Sequence, residues 1–223
     1  MHLPAFFIQF AINQGPGYMS SSIAKYPRGN TQAKTPPFTQ AIKLYGDRAG
    51  SKGTFGFAGL AWIHDTRVVL IQGDAQSLKG AAEWRCFLRL TTLAHRLKKP
   101  IVLWNLPVVH IATVQRRTSL DCAQAIQNAE LELLKLPHPI ITIFDEAYDS
   151  TYAYPELIWS DGVVLVTPPD AQFSEHEKVK IAQHPMDIES AILELLCQVE
   201  PIPASELVKN RQKSLRVAAK GRK

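Results

Sequence analysis

Of the four carboxylates in the stretch "IITIFDEAYDSTYAYPE", Ile140 to Glu156, three crowd together. Asp145, Glu146 and Asp149 follow directly on five β-favouring residues that end at Phe144. Carboxylates this close can share a proton or hold a hard cation. Aspartate at a strand end also starts helices as an N-cap, and Asp145 or Asp149 fits that plainer role better. The stretch holds no glycine, so a loop here cannot fold its backbone closely around a substrate in the usual way.

Other reactive residue types are scattered. In "IQGDAQSLKG", Gly73 and Gly80 bracket a loop whose Lys79 is placed either to approach an anionic group or simply to face water in a polar turn. Of the seven histidines, His64, His95, His110 and His138 lie inside the body, and none of the seven sits in HExxH or a similar metal-ligand spacing. His110, just after the turn "NLPVV", is the candidate general base, set against the commoner role of a hydrogen-bonded structural imidazole. Ser150 lacks the G-x-S-x-G context of an activated nucleophile. The glycines Gly53, Gly56 and Gly59 form neither a P-loop nor a dinucleotide fingerprint and fit close strand packing instead. Cys86, Cys122 and Cys197 lie far apart without a CxxC pair, which points to buried thiols in a reducing compartment. Trp84, Phe87 and Trp159 are expected in the core, where large aromatics contribute most of their buried area.

The elements that must position these residues follow from periodicity. Of 223 residues, 46% are hydrophobic, enough to bury a core. The formal charge of +5 is carried by one segment: residues 209–223, "KNRQKSLRVAAKGRK", hold seven Lys or Arg and no acid, and the rest of the chain is net −2. The plainest expectation for that segment is a frayed, solvated terminus, with contacts to phosphates as the alternative. No run of 18 apolar residues occurs, and "MHLPAFFIQFAI" lacks the charged start and cleavage pattern of a secretory signal, so a cytoplasmic protein is expected.

Residues 1–53 read as a loop-rich lead-in punctuated by "QGPGYMSSS" and "KTPPF". "FGFAGLAWI" and "RVVLIQG", separated by "HDT", predict a hairpin. In "GAAEWRCFLRLTTLAHRLKKP" the residues Trp84, Phe87, Leu88, Thr91, Ala94 and Leu97 recur at helical spacing, and Pro100 helps to end the helix. "IVLWNLPVV" predicts a buried strand. "SLDCAQAIQNAELELLKLP" predicts a helix with Leu120, Ala123, Ile126, Leu133 and Leu134 along one side. Strands at Ile140–Phe144 and in "DGVVLVTPP" follow, then helices over "DIESAILELLCQV" and "ASELVKNRQKSLRVAAK". Strands alternating with helices imply parallel pairing in an α/β domain over residues 54–200, with a basic C-terminal helix or tail at 201–223.

The succession "YGDRAG", "GFAGLAWIHDTRVVLIQGDAQSLKG", "LAHRLKKPIVLWNLP" and "LLKLPHPIITIF" resembles the carboxyltransferase α subunit of bacterial acetyl-CoA carboxylase, a member of the crotonase-like superfamily, over roughly residues 40–195. The likeness rests on the order and spacing of several segments. It implies a single α/β domain built as a crotonase-like spiral of ββα units, with a helical C-terminal extension. It also implies a β-type carboxyltransferase partner subunit and a biotin carrier protein. The implied reaction belongs to fatty acid biosynthesis: carboxybiotin on the carrier gives its carboxyl group to acetyl-CoA, forming malonyl-CoA, with no tightly bound cofactor on this chain. Membrane insertion and nucleic-acid binding are not expected.

Carried over residue by residue, the resemblance places the catalytic positions at Pro107, Val108, Glu146 and Ala147, with backbone donors near Pro107 and around Glu146 to Ala147, and sets Gly73, Lys79 and Asn105 against the substrate. Such donors stabilise oxygens that gain negative charge in the transition state. This sequence departs from the family there. The position of the family's "DTPGA" loop reads "NLPVV", with Val108 in place of glycine, and the position of its "GEGGSGGA" loop falls in "DEAYDSTYA", where Glu146 matches a glutamate and no glycine is left. A side chain at these points narrows a pocket and restricts the backbone, so two readings stand side by side: an altered carboxyltransferase, or a noncatalytic relative that keeps the fold and the partner surface.

Overall fold

The computed structural model describes residues 38, 40–44, 46, 55–73, 80–106, 120–144, 159–166, 179–181 and 187–220. The candidate residues Lys79, Pro107, Val108, His110, Asp145, Glu146, Ala147, Asp149 and Ser150 lie outside these residues.

The sheet is mixed and seven-stranded, and its strands neighbour one another in chain order. β1 (Gln40–Lys43), β2 (Phe57–Ile63) and β3 (Thr66–Gln72) form an antiparallel meander. β4 (Ile101–Trp104), β5 (Ile140–Phe144), β6 (Gly162–Leu165) and β7 (Val179–Ile181) then add in parallel. The β2–β3 hairpin forms where "HDT" predicted it. His64 takes a φ of 50°, the left-handed backbone that a tight reversal between twisted strands requires.

One strand contradicts the loop-rich expectation for residues 1–53: β1 lies inside it. Its four residues are all exposed, so no alternation of apolar and polar side chains marked it. Main-chain pairing places it on β2, against Gly59. A Cβ at Gly59 would stand 2.0 Å from the Ile42 carbonyl oxygen, so only glycine permits this approach.

α1 (Ala81–Leu97) links β3 to β4, and α2 (Leu120–Lys135) lies between β4 and β5. Parallel crossovers are right-handed, which puts successive helices on the same face of a sheet whose order never reverses. The packing agrees. Val69, Ile71, Ile101, Leu103 and Ile140 meet Trp84, Phe87 and Leu90 of α1 and Ala125, Ala129 and Leu133 of α2. The alternate residues Val68, Leu70, Val102, Ile141, Ile143 and Val164 meet α3 (Ile188–Val199) through Ile192 and Leu195. Both sheet faces are therefore covered, which explains the unbroken apolar runs of the central strands.

Both predicted helical stripes shift in detail. Cys86 and Leu90 complete the buried face of α1, while Leu97 is 37% exposed. On α2, Leu120 is 85% exposed and the inward face consists of Ala125, Ala129 and Leu133. The small alanines at i and i+4 give α2 a shallow face that counting large apolar residues overlooks. Trp84, Phe87 and Trp159 pack as core aromatics, with centroid separations of 5.8 and 6.2 Å along the series.

α4 (Ala204–Lys220) corrects the expectation of a frayed basic tail. Arg211, within the basic segment, is fully buried. Its Nε donates to Asp161 Oδ1 at 3.0 Å and its Nη2 donates to Asp161 Oδ2. Nη1 donates to the Leu136 carbonyl at 2.5 Å, and Nη2 also reaches the His138 carbonyl at 2.6 Å. The second Asp161 oxygen accepts from Ile140 N–H at 2.9 Å. A bidentate pair of this kind holds α4 against the segments that lead into β5 and β6.

Candidate functional site at the carboxyl edge of the sheet

In open α/β sheets, ligand sites form outside the carboxyl ends of the strands where the strand order reverses; among the described strands the order does not reverse, so only the positions of the candidate residues point to this edge. Here those ends stay in register beyond the last strand residues. Gly73 N–H donates to the Trp104 carbonyl at 2.8 Å, Asn105 N–H to the Ile143 carbonyl at 2.9 Å, and Val166 N–H to the Phe144 carbonyl at 2.9 Å. Neighbouring strands lie roughly 4.8 Å apart, so the chain leaves β3, β4 and β5 within about 10 Å along one edge. The structure thus brings Gly73 and Asn105 together, and the stretch that carries Glu146 and Ala147 leaves from Phe144 beside them.

At Asn105 the backbone turns to a φ of 44°, a left-handed conformation that asparagine tolerates better than most residues. The turn directs Leu106 back into the α1 and α2 core, where it is 3% exposed. Trp104, just before the turn, is equally buried, and Phe38 meets its indole edge-on at 5.9 Å. Its Nε1–H has no hydrogen-bond partner among the described residues. Buried indole donors are normally paired, so this orphan is unusual. Nothing in the sequence distinguishes Trp104 from an ordinary buried strand residue.

α1 starts at the same edge, after the connection from Gly73. Gly80 has no side chain to cap the helix; the Glu83 carboxylate accepts the Gly80 N–H at 3.1 Å, which is the reverse half of a capping box. The positive end of the helix dipole therefore lies at the edge where the strands end.

The described histidines lie at the opposite edge. His64 is in the β2–β3 turn, and the rings of His95 and His138 stand 6.1 Å apart between the end of α1 and the start of β5. Burial pushes the His138 pKa below the ordinary histidine value, with His95, Lys98 and Arg211 acting in the same direction against a backbone hydrogen bond to His95. A neutral His138 at this edge has no part in chemistry at the carboxyl ends. Two clefts, of about 530 and 450 Å³, also open at the amino edge, the larger between Trp62, His64 and Asp65. Lys98, Lys99 and Pro100 line the smaller one together with Leu196 and Glu200 at the end of α3. The carbonyl ends of α1 and α3 meet there with the amino end of α4, whose Ala204 and Leu207 also line the cleft.

Sequence reasoning also missed Glu130 on α2. Its carboxyl Oε1 is buried without a partner among the described residues, and burial pushes its pKa up to about 8. No group of three or more His, Cys, Asp or Glu able to hold a metal ion occurs among the described residues. No helix among them is long and apolar enough to cross a membrane. The chain matches no protein-family model and no curated protein sequence.

Proposed function

We propose that this chain is the α-like subunit of an acyl-CoA carboxyltransferase, folded as a crotonase-like spiral and acting with a β-type partner and a biotin carrier protein. The supporting observation is the common exit edge: Gly73, Asn105 and the chain leaving Phe144 issue from three adjacent parallel strands, in the order in which the resemblance places the substrate loops. In the transfer, the bond between the ureido nitrogen of carboxybiotin and the carboxyl carbon breaks. A carbon–carbon bond forms to the α-carbon of the thioester, and the α-proton ends on the ureido nitrogen. Backbone N–H groups at Val108 and at Glu146 and Ala147 would face the oxygens that gain charge, and Lys79 would assist an anionic group. Pro107 has no N–H of its own, so the first donor would be its neighbour.

The replaced glycines favour a second reading, a noncatalytic scaffold or regulatory subunit with the same fold. One experiment separates the two. The purified chain is combined with a β-type subunit and carboxybiotin, and malonyl-CoA formation is measured beside an authentic α subunit. Product formation supports catalysis; none, where the authentic subunit succeeds, removes it. Recovery of activity in the variant Val108→Gly/Ala147→Gly would show that decayed loops caused the loss.

A further inference from the structure

We propose that the junction between α4 and the turn before β5 is an acid-sensitive latch: proton uptake by His138 loosens the grip of Arg211 on that turn and frees α4 while the sheet stays folded. α4 is lightly held, since Leu207 and Arg211 are the buried residues among its described side chains. Local opening costs least where few buried contacts resist it. Arg211 grips the turn through its main chain, giving Nη1 to the Leu136 carbonyl and Nη2 to the His138 carbonyl, so a shift of His138 moves one of its acceptors. The cleft of about 450 Å³ reaches the half-buried His138, which gives water and protons access to the ring.

The groups around that ring are mostly cationic. α1 contributes His95, whose ring centre is 6.1 Å away, and Lys98 follows at its end, while α4 contributes Arg211. Arg67 at the start of β3 and Lys99 line the same cleft. Of the acids on the packed elements, Asp161 is committed to Arg211, and Asp65 and Glu200 sit on the cleft wall. No carboxylate acts on His138 to balance the cations. Burial first, and then His95, Lys98 and Arg211, hold its pKa below the ordinary 6.5 against a hydrogen bond with the His95 backbone. An opened latch therefore binds the proton more readily than a closed one. The contribution of the latch is fully present above pH 6.5 and is lost as the pH falls from there through the folded pKa. The raised pKa of Glu130 works in the opposite sense, stabilising the fold as the pH falls, and does not mimic this loss.

The test is amide exchange of the full chain between about pH 5.5 and about pH 7.5, the range in which histidine titrates, with each rate corrected for the intrinsic pH dependence of exchange. Protection over residues 204–216 is expected to fall severalfold toward the acid end relative to that of β4. His138→Asn keeps the main-chain carbonyl but cannot take up the proton, and it should hold α4 protection level across the range. An α4 protection that follows β4 at every pH overturns the inference, and so does an equal fall in His138→Asn. If that variant does not fold, the imidazole resonance of His138 in the wild-type chain decides. A titration midpoint that coincides with the loss of α4 protection supports the latch, and one that lies apart from it overturns it.

Discussion

Removing the Arg211 side chain tests how the basic segment is held. In Arg211→Ala the Asp161 carboxylate keeps one donor, Ile140 N–H, and loses its bidentate partner inside a site where Arg211 is fully buried. The carbonyls of Leu136 and His138 lose their donors as well. Breaking one side of a buried ion pair typically costs about 3–5 kcal/mol, most of it from the charge left behind. For a chain of 223 residues, each kcal/mol moves the melting temperature by about 2–4 °C, so the variant should melt roughly 6–20 °C lower. Urea unfolding followed by circular dichroism gives the free energy directly.

The double variant Arg211→Met/Asp161→Leu sharpens the argument. If the deficit arises from the orphaned carboxylate, removing both partners should restore much of it, because apolar replacements of a buried pair are often neutral. A loss below about 1 kcal/mol in Arg211→Ala would place the pair among weak surface bridges and refute the staple. Equal losses in the single and double variants would instead assign the deficit to the two carbonyls.

Gly59→Ala should detach β1 at a cost of about 1–3 kcal/mol, since the new Cβ meets the Ile42 carbonyl oxygen at 2.0 Å; faster amide exchange at Gln40–Lys43 reads it, and unchanged exchange would refute the contact. Glu130 predicts a pH slope of stability: its pKa is about 8 when folded against an ordinary 4.5, so the folded form binds the extra proton. Stability is therefore fully present below pH 4.5 and falls between there and about pH 8, by an amount on the order of a few kcal/mol. Glu130→Gln should flatten that slope and be the more stable form at pH 8; urea midpoints that run parallel from pH 5 to 8 would rule it out. Arg85→Ala should change stability by less than about 1 kcal/mol, because its 2.9 Å pair with Asp121 is largely exposed; a larger loss of urea stability would contradict this.

The sequence made the alternation of strands and helices legible because its central strands are continuous apolar runs and its first helix carries a stripe at helical spacing. β1 escaped because its stability comes from main-chain bonds and from the glycine opposite, neither of which has a side-chain period. The inward face of α2 was misjudged because alanine, a weak hydrophobic signal, packs where leucine was expected. Arg211 was read as one more solvated cation; only its place four residues after the buried Leu207 put it on the inner face of α4. At the site, Gly73 and Asn105 were legible from strand ends, whereas the orphaned Trp104 donor depends on what surrounds a side chain, which no spacing reports.

The two edges of the sheet divide the work. At the amino edge, the Arg211 pair ties α4 to the segments that lead into β5 and β6. At the carboxyl edge, the ladder bonds from Gly73, Asn105 and Val166 need no side chains, so the register of the strand ends there does not depend on residue type. A buried side-chain pair and a run of main-chain bonds thus hold opposite ends of the same strands.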